Sequence, residues 1–373
     1  MYDYLVVGCG FAGSVLAERL ASQRGEKVII VEKRDHVGGN AFDYFEENGV
    51  LIHRYGPHLF HTNSKRVWDY LSLFTQWRPY EHRVLAEIQG KRVPVPFNFK
   101  SIDLLFEKAR ATKLKRLLSQ YYGYGANIPI LKLLRVKNAS LRELAEFIYT
   151  NVFEGYSRKQ WGLDPMLLDP SVTSRVPVRA SYDDRYFQDT YQAIPRDGYT
   201  SMFRRILKHP NIEIRLQTDF RDIIGRFQYR RLIYTGPLDS YFDYKFGHLP
   251  YRSLRFELAY HEIEQFQETA QVNFPNQHEY TRMTEFKHIT GQQIAGTTVA
   301  TEFPLQCVDG VSEPYYPIPI TESREMLDLY QDEIRRLAGK VFFIGRLAEY
   351  KYFNMDQIVG HALATFENEL AVL

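Results

Sequence analysis

The opening of this chain leaves few folds open to it. Tyr4-Leu5-Val6-Val7 is an apolar run that enters Gly8-Cys9-Gly10-Phe11-Ala12-Gly13, and a second apolar run, Val28-Ile29-Ile30-Val31, ends in Glu32. The order is strand, glycine turn, helix, strand, acid, which is a nucleotide-binding βαβ unit. Gly8 permits the tight turn, Gly10 lets a pyrophosphate approach bare backbone, and Gly13 lets the helix pack against the strand. The helix N-terminus then faces the phosphates, and Glu32 is placed to accept from a ribose hydroxyl. Cys9 reads as a small residue within the turn.

Beyond Glu32 the chain runs Lys33-Arg34-Asp35-His36-Val37-Gly38-Gly39-Asn40-Ala41. Two adjacent glycines again imply that backbone comes close to a ligand, at a place where a nicotinamide-type Rossmann domain needs none. The arrangement resembles the FAD-binding domain of the glutathione-reductase-like and amine-oxidase-like flavoproteins, and FAD is favoured over NAD.

The length of 373 residues is enough for two or three domains with a sizeable core. Lys and Arg number 47 against 45 Asp and Glu, so the net charge of +2 gives no electrostatic case for a nucleic-acid partner. Two cysteines make no disulfide framework. No leader pattern precedes the first strand, and no apolar run nears the roughly 18 residues that a bilayer span needs. A cytoplasmic protein without membrane insertion is expected.

Farther along, Ile52 to Asn63 is a loop dense in glycine and histidine that suits a cofactor-facing position. His58 and His61 lack Cys or acidic partners at ligand spacing, so no metal site is expected. Val84–Ile88 and Arg92–Val95, with Gln89-Gly90-Lys91 between them, read as a hairpin. From Ser101 to Trp161 the pattern is helical; Ser140-Leu141-Arg142-Glu143 reads as a capping box ahead of an apolar face of Leu141, Leu144, Ala145, Ile148, Tyr149 and Val152. Its Lys and Arg residues read as a solvated face. Leu163 to Ser174 carries two prolines and no period, and reads as a mobile lid. The α/β pattern returns at Ser201–Leu207, Ile212–Leu216 and Leu232–Tyr234. Leu254–Leu258, Ala270–Asn273, Thr281–Phe286 and Thr297–Thr301 read as strands of an antiparallel sheet. Val341–Arg346 reads as a buried strand, followed by a helix from Met355 with Asn354 at its N-cap.

The expected fold class is α/β. A discontinuous Rossmann-like FAD-binding domain comprises 1–82, 198–240 and 315–373. A helical insert carrying the lid covers 98–172, and an antiparallel sheet domain takes 83–97, 173–197 and 241–314.

Further motifs are Gly56-Pro57-His58-Leu59-Phe60-His61-Thr62-Asn63, Lys159-Gln160-Trp161-Gly162, Arg175-Val176-Pro177-Val178-Arg179, Glu313-Pro314-Tyr315-Tyr316-Pro317 and Gly345 to Tyr352. Together with the two glycine turns, this series resembles the bacterial UDP-galactopyranose mutase family from Met1 to the last helix. The resemblance implies a homodimeric isomerase of cell-surface polysaccharide biosynthesis that holds FAD without a covalent bond. It interconverts UDP-galactopyranose and UDP-galactofuranose: N5 of the reduced flavin attacks the anomeric carbon, UDP leaves and returns, and there is no net redox change. Gly123-Tyr124-Gly125 lacks a third glycine, so no dedicated NADPH domain is expected, and an external reductant such as NAD(P)H is expected instead.

The resemblance also implies roles. Arg175 and Arg282 match the arginines that clamp the diphosphate, for which a permanently charged fork is suited. Tyr156 matches the uridine-stacking tyrosine and Trp161 the sugar-side tryptophan, with Phe153 beside them. Tyr186, Tyr316 and Tyr352 match tyrosines that bond the diphosphate, and Asn273 an asparagine near the nucleotide. His58, with Leu59, belongs to the flavin-facing loop whose backbone helps hold N5, and Arg346 lies near the flavin ring. The cofactor set is Gly8, Gly10, Phe11, Ala12, Gly13, Glu32, Lys33, Gly38, Gly39, Asn40, His58, Leu59, Phe220, Gly345, Arg346, Tyr352, Met355, Asp356 and Gln357. The helix N-terminus at Met355 suits the negative charge of a reduced flavin.

At Asn354 the family often has Asp, and at His82 it has Asn; both positions belong to the expected substrate set. Asn354 keeps the capping geometry without the charge, and His82 adds a titrating donor. The same chemistry on UDP-N-acetylgalactosamine or dTDP-fucose therefore stays open. Two other classes also remain, an amine-oxidase-like flavin oxidoreductase and a non-catalytic nucleotide-sugar binder.

Overall fold

The computed structural model describes residues 1–163, 176–318 and 321–372, which fall into two compact units. One comprises Met1–Tyr80, Asp189–Ser253 and Cys307–Leu373, the other Glu81–Gln188 and Leu254–Gln306.

The first unit is built on a five-stranded sheet in the order Ile212–Arg215, Val28–Val31, Tyr2–Val7, Tyr229–Tyr234, Val341–Phe343. Every pairing is parallel. A parallel sheet covered on both faces demands continuous apolar strands, and the alternation inside those runs decides which face each side chain serves. Val6, Val28, Ile30 and Ile233 point into a core closed by helices Phe11–Arg24, Tyr199–Ile206 and Met355–Thr365. Leu5, Ile29, Val31 and Leu232 form the opposite face.

A three-stranded antiparallel sheet of Phe60–Thr62, Tyr191–Pro195 and Trp77–Pro79 lies in the same unit. Residues 189–197, expected in the sheet domain, are held here because Tyr191–Pro195 finds its ladder partners here. Residues 241–253 and 307–314 likewise belong to this unit: Leu249 and Tyr251 share a core with Tyr330 and Tyr350, and Tyr350 Oη donates to the carbonyls of Pro250 (2.6 Å) and Ile318 (3.1 Å).

In the second unit the helical insert and the sheet are not separate bodies. Val84, Ala86, Val93 and Val95 of the hairpin share one core with Leu114, Leu118, Leu141, Leu144 and Ile148 of the helices. An amphipathic helix needs an apolar surface to cover, and the hairpin supplies it. The hairpin is as expected, one residue tighter: Lys91 pairs with Ile88, and Gln89 (φ 51°) and Gly90 (φ 75°) make a two-residue turn with both φ positive. The strands of this unit run in the order Thr297–Gln306, Arg282–Glu285, Gln271–Asn273, Val84–Ile88, Lys91–Val95, and the strand Tyr251–His261, which enters this unit at Leu254, lies on the outer side of Thr297–Gln306. The sheet is mixed rather than antiparallel throughout, since Gln271–Asn273 runs parallel to Val84–Ala86.

Helix Ala139–Ile148 starts earlier than its sequence signature suggests. Asn138 caps it, its Oδ1 accepting from the Leu141 amide at 3.2 Å, and Ser140 lies inside the first turn. The chain then passes through a π-helical turn, Tyr149–Glu154, into helix Gly155–Trp161.

Candidate active site

Two glycines of the first turn, Gly8 and Gly13, are enforced by contact. Gly8 has φ +98°, and a Cβ there would lie 2.1 Å from Thr235 Oγ1, which donates to Val7 O at 2.7 Å. A Cβ on Gly13 would lie 2.1 Å from Gly8 O. At Gly39 (φ +55°) a Cβ would come within 3.0 Å of Gly10 Cα, so the two glycine turns face each other through bare backbone, and the Gly38 amide donates to Cys9 O at 2.9 Å. Gly10 caps helix Phe11–Arg24 without a side-chain hydrogen bond, and its first turn holds no acid. That N-terminus is shaped for an anion approached through backbone amides, with Phe11 and Ala12 leading the helix.

Glu32 is buried, Oε2 accepting from the Cys9 amide (2.9 Å) and Oε1 from the Arg34 amide (3.0 Å). A carboxylate offers about four acceptor positions, so its capacity exceeds these bonds and suits a ribose diol. The Cys9 thiol is pushed up to about 12 by burial and by the Glu32 charge, which leaves it an inert packing residue. Arg34 donates to Asn40 Oδ1 (2.9 Å) and Glu313 Oε2 (3.0 Å), and its guanidinium lies 4.2 Å from the Tyr55 ring centre. Lys33 pairs with the other Glu313 oxygen at 3.0 Å. Phe220 packs on Tyr234 and Tyr241, just past Thr218, whose amide donates to Glu32 O at 2.9 Å.

In the histidine loop, the His58 amide donates to His53 Nδ1 at 2.9 Å, and His58 Nδ1 faces Gly56 O at 2.8 Å. A carbonyl only accepts, so His58 carries its proton on Nδ1, while neutral His53 carries its own on Nε2. Burial pushes His53 down to about 4, which keeps it neutral. The buried Tyr199 ring stands edge-on to both imidazoles, with centroids 5.6 Å from His53 and 6.5 Å from His58. Leu59 follows, half-buried. His61 is turned to a structural task, its Nδ1 lying 2.9 Å from Asp189 Oδ2.

At the C-terminal end of the sheet, Gly345 has φ +108° and its amide donates to Glu349 Oε2 at 2.9 Å. Arg346 donates to Phe353 O from Nε (3.2 Å) and Nη2 (2.6 Å). Its guanidinium lies 5.1 Å from the Tyr316 ring centre and 5.3 Å from that of Tyr352, and the two rings stack 5.1 Å apart at 10°. The expected flavin-side arginine and two expected substrate tyrosines are thus one cluster. Asn354 caps helix Met355–Thr365 in a capping box, Gln357 Oε1 accepting from the Asn354 amide at 2.8 Å, with Asp356 in the first turn.

In the second unit, Asn273 and Arg282 are direct partners in antiparallel register, and Arg282 also stands opposite Glu302 on the next strand. Gln271 Nε2 donates to Asn273 Oδ1 at 2.9 Å. Phe153 is buried in the unit's core, whereas Tyr156 and Trp161 are half-buried on the helix that follows. His82 is buried; its carbonyl accepts from the Tyr186 amide at 2.7 Å, and the rings meet edge-to-face at 5.7 Å. Arg175 and the lid beyond Leu163 lie outside the described residues.

Comparison with known proteins gives the family and the fold. The family model described as UDP-galactopyranose mutase matches residues 151–352, and one described as an NAD(P)-binding Rossmann-like domain matches 6–74. The probable UDP-galactopyranose mutase of Klebsiella pneumoniae is 35% identical over 372 residues, covering 99% of this chain and 95% of that protein. The chain belongs to the UDP-galactopyranose mutase family. The dTDP-fucopyranose mutase of Escherichia coli is 34% identical over 372 residues, covering 97% of each. A crystal structure of reduced UDP-galactopyranose mutase shares the fold, with a TM-score of 0.75 at 16% identity, covering 100% of this chain and 94% of that one. As a member of the UDP-galactopyranose mutase family, the chain is a flavin-dependent isomerase, and the facing glycine turns and open helix N-terminus fit the dinucleotide part of a flavin.

Several residues that order this family member's site escaped the motif reading. Glu313 neutralises Lys33 and Arg34 together; an acid in the Glu313-Pro314-Tyr315 motif was a usable signal for it. Asp43 is buried and accepts from the amides of Tyr199 (Oδ2, 2.6 Å) and Thr200 (Oδ1, 2.7 Å), fixing the helix beneath the histidine loop. Its partner is more than 150 positions away, and no local pattern marks it. Glu302 is the buried counter-ion of Arg282.

Proposed function

We propose that the chain interconverts UDP-galactopyranose and UDP-galactofuranose with FAD held in its reduced form. The observation that carries this reading is the pairing of Asn273 with Arg282, whose fork is aligned by buried Glu302 and so suits a diphosphate. When bound in its reduced form, FAD would supply the nucleophile for the anomeric carbon. Around it, Gly10, Gly39 and the N-terminus of helix Phe11–Arg24 hold the pyrophosphate, Glu32 the ribose, and the His58 loop and Arg346 the ring. In the second unit Tyr156 and Trp161 offer faces to uracil and sugar, while Tyr186 with its hydroxyl and Arg282 with its fork suit the diphosphate; in the first unit Tyr316 and Tyr352 offer hydroxyls to the same kind of group, and Arg175 is proposed as a further diphosphate arginine. An external donor such as NAD(P)H keeps the flavin reduced; the lack of a second glycine triplet supports this. A cytoplasmic homodimer is consistent with the family and with two free cysteines, Cys9 and Cys307. Among the described residues, no helix is long and apolar enough to cross a membrane.

A second reading, the same chemistry on dTDP-fucose, is favoured by the E. coli relative at near-equal identity. The deciding experiment incubates dithionite-reduced protein with UDP-galactofuranose, dTDP-fucofuranose and the furanose form of UDP-N-acetylgalactosamine in parallel. Conversion of UDP-galactofuranose to the pyranose without net flavin reoxidation is expected. Preference for dTDP-fucofuranose selects the second reading, and no turnover of any of them sinks the mutase assignment.

A further inference from the structure

Lys159 belongs to a motif of the chain but has no part in the chemistry above, and its surroundings are unusual for a lysine. Its ammonium donates to three backbone carbonyls of one loop, those of Phe274, His278 (2.9 Å) and Tyr280 (3.1 Å). An ammonium has three protons, and three converging carbonyls match them. That loop joins Asn273 to Arg282.

The same loop is gripped at two further points of the same helical face. Asn276 Nδ2 donates to Asn151 O at 3.2 Å. A Cβ on Gly155 would fall 2.3 Å from Asn276 Oδ1 and 2.6 Å from Pro275 O, so only glycine allows the approach. Asn151, Gly155 and Lys159 recur every four residues, the spacing that stacks positions on one helix face. Tyr156 and Trp161 project from the same segment.

We infer that Lys159 is a positioning residue that ties the helix bearing Tyr156 and Trp161 to the loop between Asn273 and Arg282, and thereby sets affinity for the uridine diphosphate part of the substrate. This rests on the substrate reading given above. Burial pushes Lys159 down to about 8, so the third carbonyl bond is lost when the ammonium deprotonates just above neutral pH. Among the described residues, the neighbouring charged and titratable groups are His278, Glu279 and Tyr280 on the loop, the Arg158–Glu154 pair on the helix, Arg92 over the Phe274 ring with its partner Glu87, and the Arg282–Glu302 pair.

The test compares wild-type holoenzyme with Lys159→Met, which keeps the stem and removes the donors. Calorimetry should show UDP binding weakened at least tenfold, and kinetics a raised KM with kcat changed less than about threefold, at unchanged FAD content. Equal UDP affinity in the two proteins overturns the proposal. A second measurement needs no UDP: Trp161 fluorescence, isolated by subtracting a Trp161→Phe protein, should titrate with a midpoint near 8 rather than near the histidine value. A signal flat from pH 6 to 10 that is also identical in Lys159→Met removes the tie. Wild-type protein that titrates in this way but binds no UDP would overturn the substrate reading and leave the tie standing.

Discussion

Glu302 grips Arg282 along one edge of its guanidinium, with Nε at 2.8 Å and Nη2 at 2.6 Å from the same carboxylate oxygen. Glu302 is buried and also stands opposite Arg282 in the strand register, so the fork has a fixed direction. Removing the charge while keeping the shape should free that direction. Glu302→Gln is expected to lower kcat/KM at least tenfold with flavin absorbance unchanged. Arg282→Ala and Arg175→Ala should each cut turnover far more than they affect flavin retention. A variant that lost FAD, yet regained full turnover once cofactor was restored, would show that the clamp is assigned to the wrong residue.

Gly10 and Gly13 should fail in different ways. A methyl on Gly13 meets Gly8 O at 2.1 Å, a backbone clash with no flexible partner, whereas one on Gly10 finds its nearest neighbour, Gly39 Cα, at 3.8 Å. Gly13→Ala is expected to destabilise the protein by more than about 2 kcal/mol in denaturant unfolding. Gly10→Ala should leave the unfolding midpoint of flavin-free protein within about 0.5 kcal/mol of wild type and weaken FAD binding at least tenfold, because its methyl occupies the space of the pyrophosphate. Equal FAD affinity for wild type and Gly10→Ala would count against the proposed cradle.

Burial of His53 sets a pH dependence with a definite sign. The folded imidazole stays neutral down to about 4, while in the unfolded chain it takes a proton near the ordinary 6.5. The unfolded state therefore binds the extra proton first, so the contribution is complete above about pH 6.5 and is lost as pH falls toward 4. The full loss is on the order of 3 kcal/mol. Urea unfolding between pH 7 and 4 should show this slope, and His53→Gln should flatten it.

Asn354 stands where a carboxylate would meet a helix N-terminus. Asn354→Asp keeps the cap with Gln357 and adds a charge that the dipole of helix Met355–Thr365 favours, so stability should rise by about 0.3–1 kcal/mol. A thermal shift in the opposite direction would mean that nearby groups, not the helix end, dominate this position.

The parallel sheet, its glycine turns and the hairpin at Gln89-Gly90 were legible because each is written in local sequence: apolar runs, glycines at fixed offsets, a two-residue turn. What stayed hidden depends on distance along the chain. Tyr191–Pro195 has the pattern of any short strand, and only Phe60–Thr62 and Trp77–Pro79 decide which unit it joins. The helical insert shows its apolar face plainly, but nothing local says that Val84, Val93 and Val95 cover it. Ser140 has the type and spacing of a cap, yet Asn138 reaches the Leu141 amide first. Among the expected site residues, Arg346, Tyr316 and Tyr352 come together as one cluster, while Asp43, which no motif marks, acts on partners too remote in sequence to announce themselves.

The π-helical turn Tyr149–Glu154 sets an angular phase. Such a turn amounts to one residue inserted into an α-helix, and each α-helical residue advances the chain by about 100°. Upstream of it, Leu141, Leu144 and Ile148 face the core; downstream, Gly155 and Lys159 face the 274–280 loop. A chain without Thr150 would keep its helices and every motif residue named above. It would also swing Gly155, Tyr156, Lys159 and Trp161 about a quarter-turn together. In this chain, loss of one residue at that turn would thus displace all four at once, where a substitution changes only one of them.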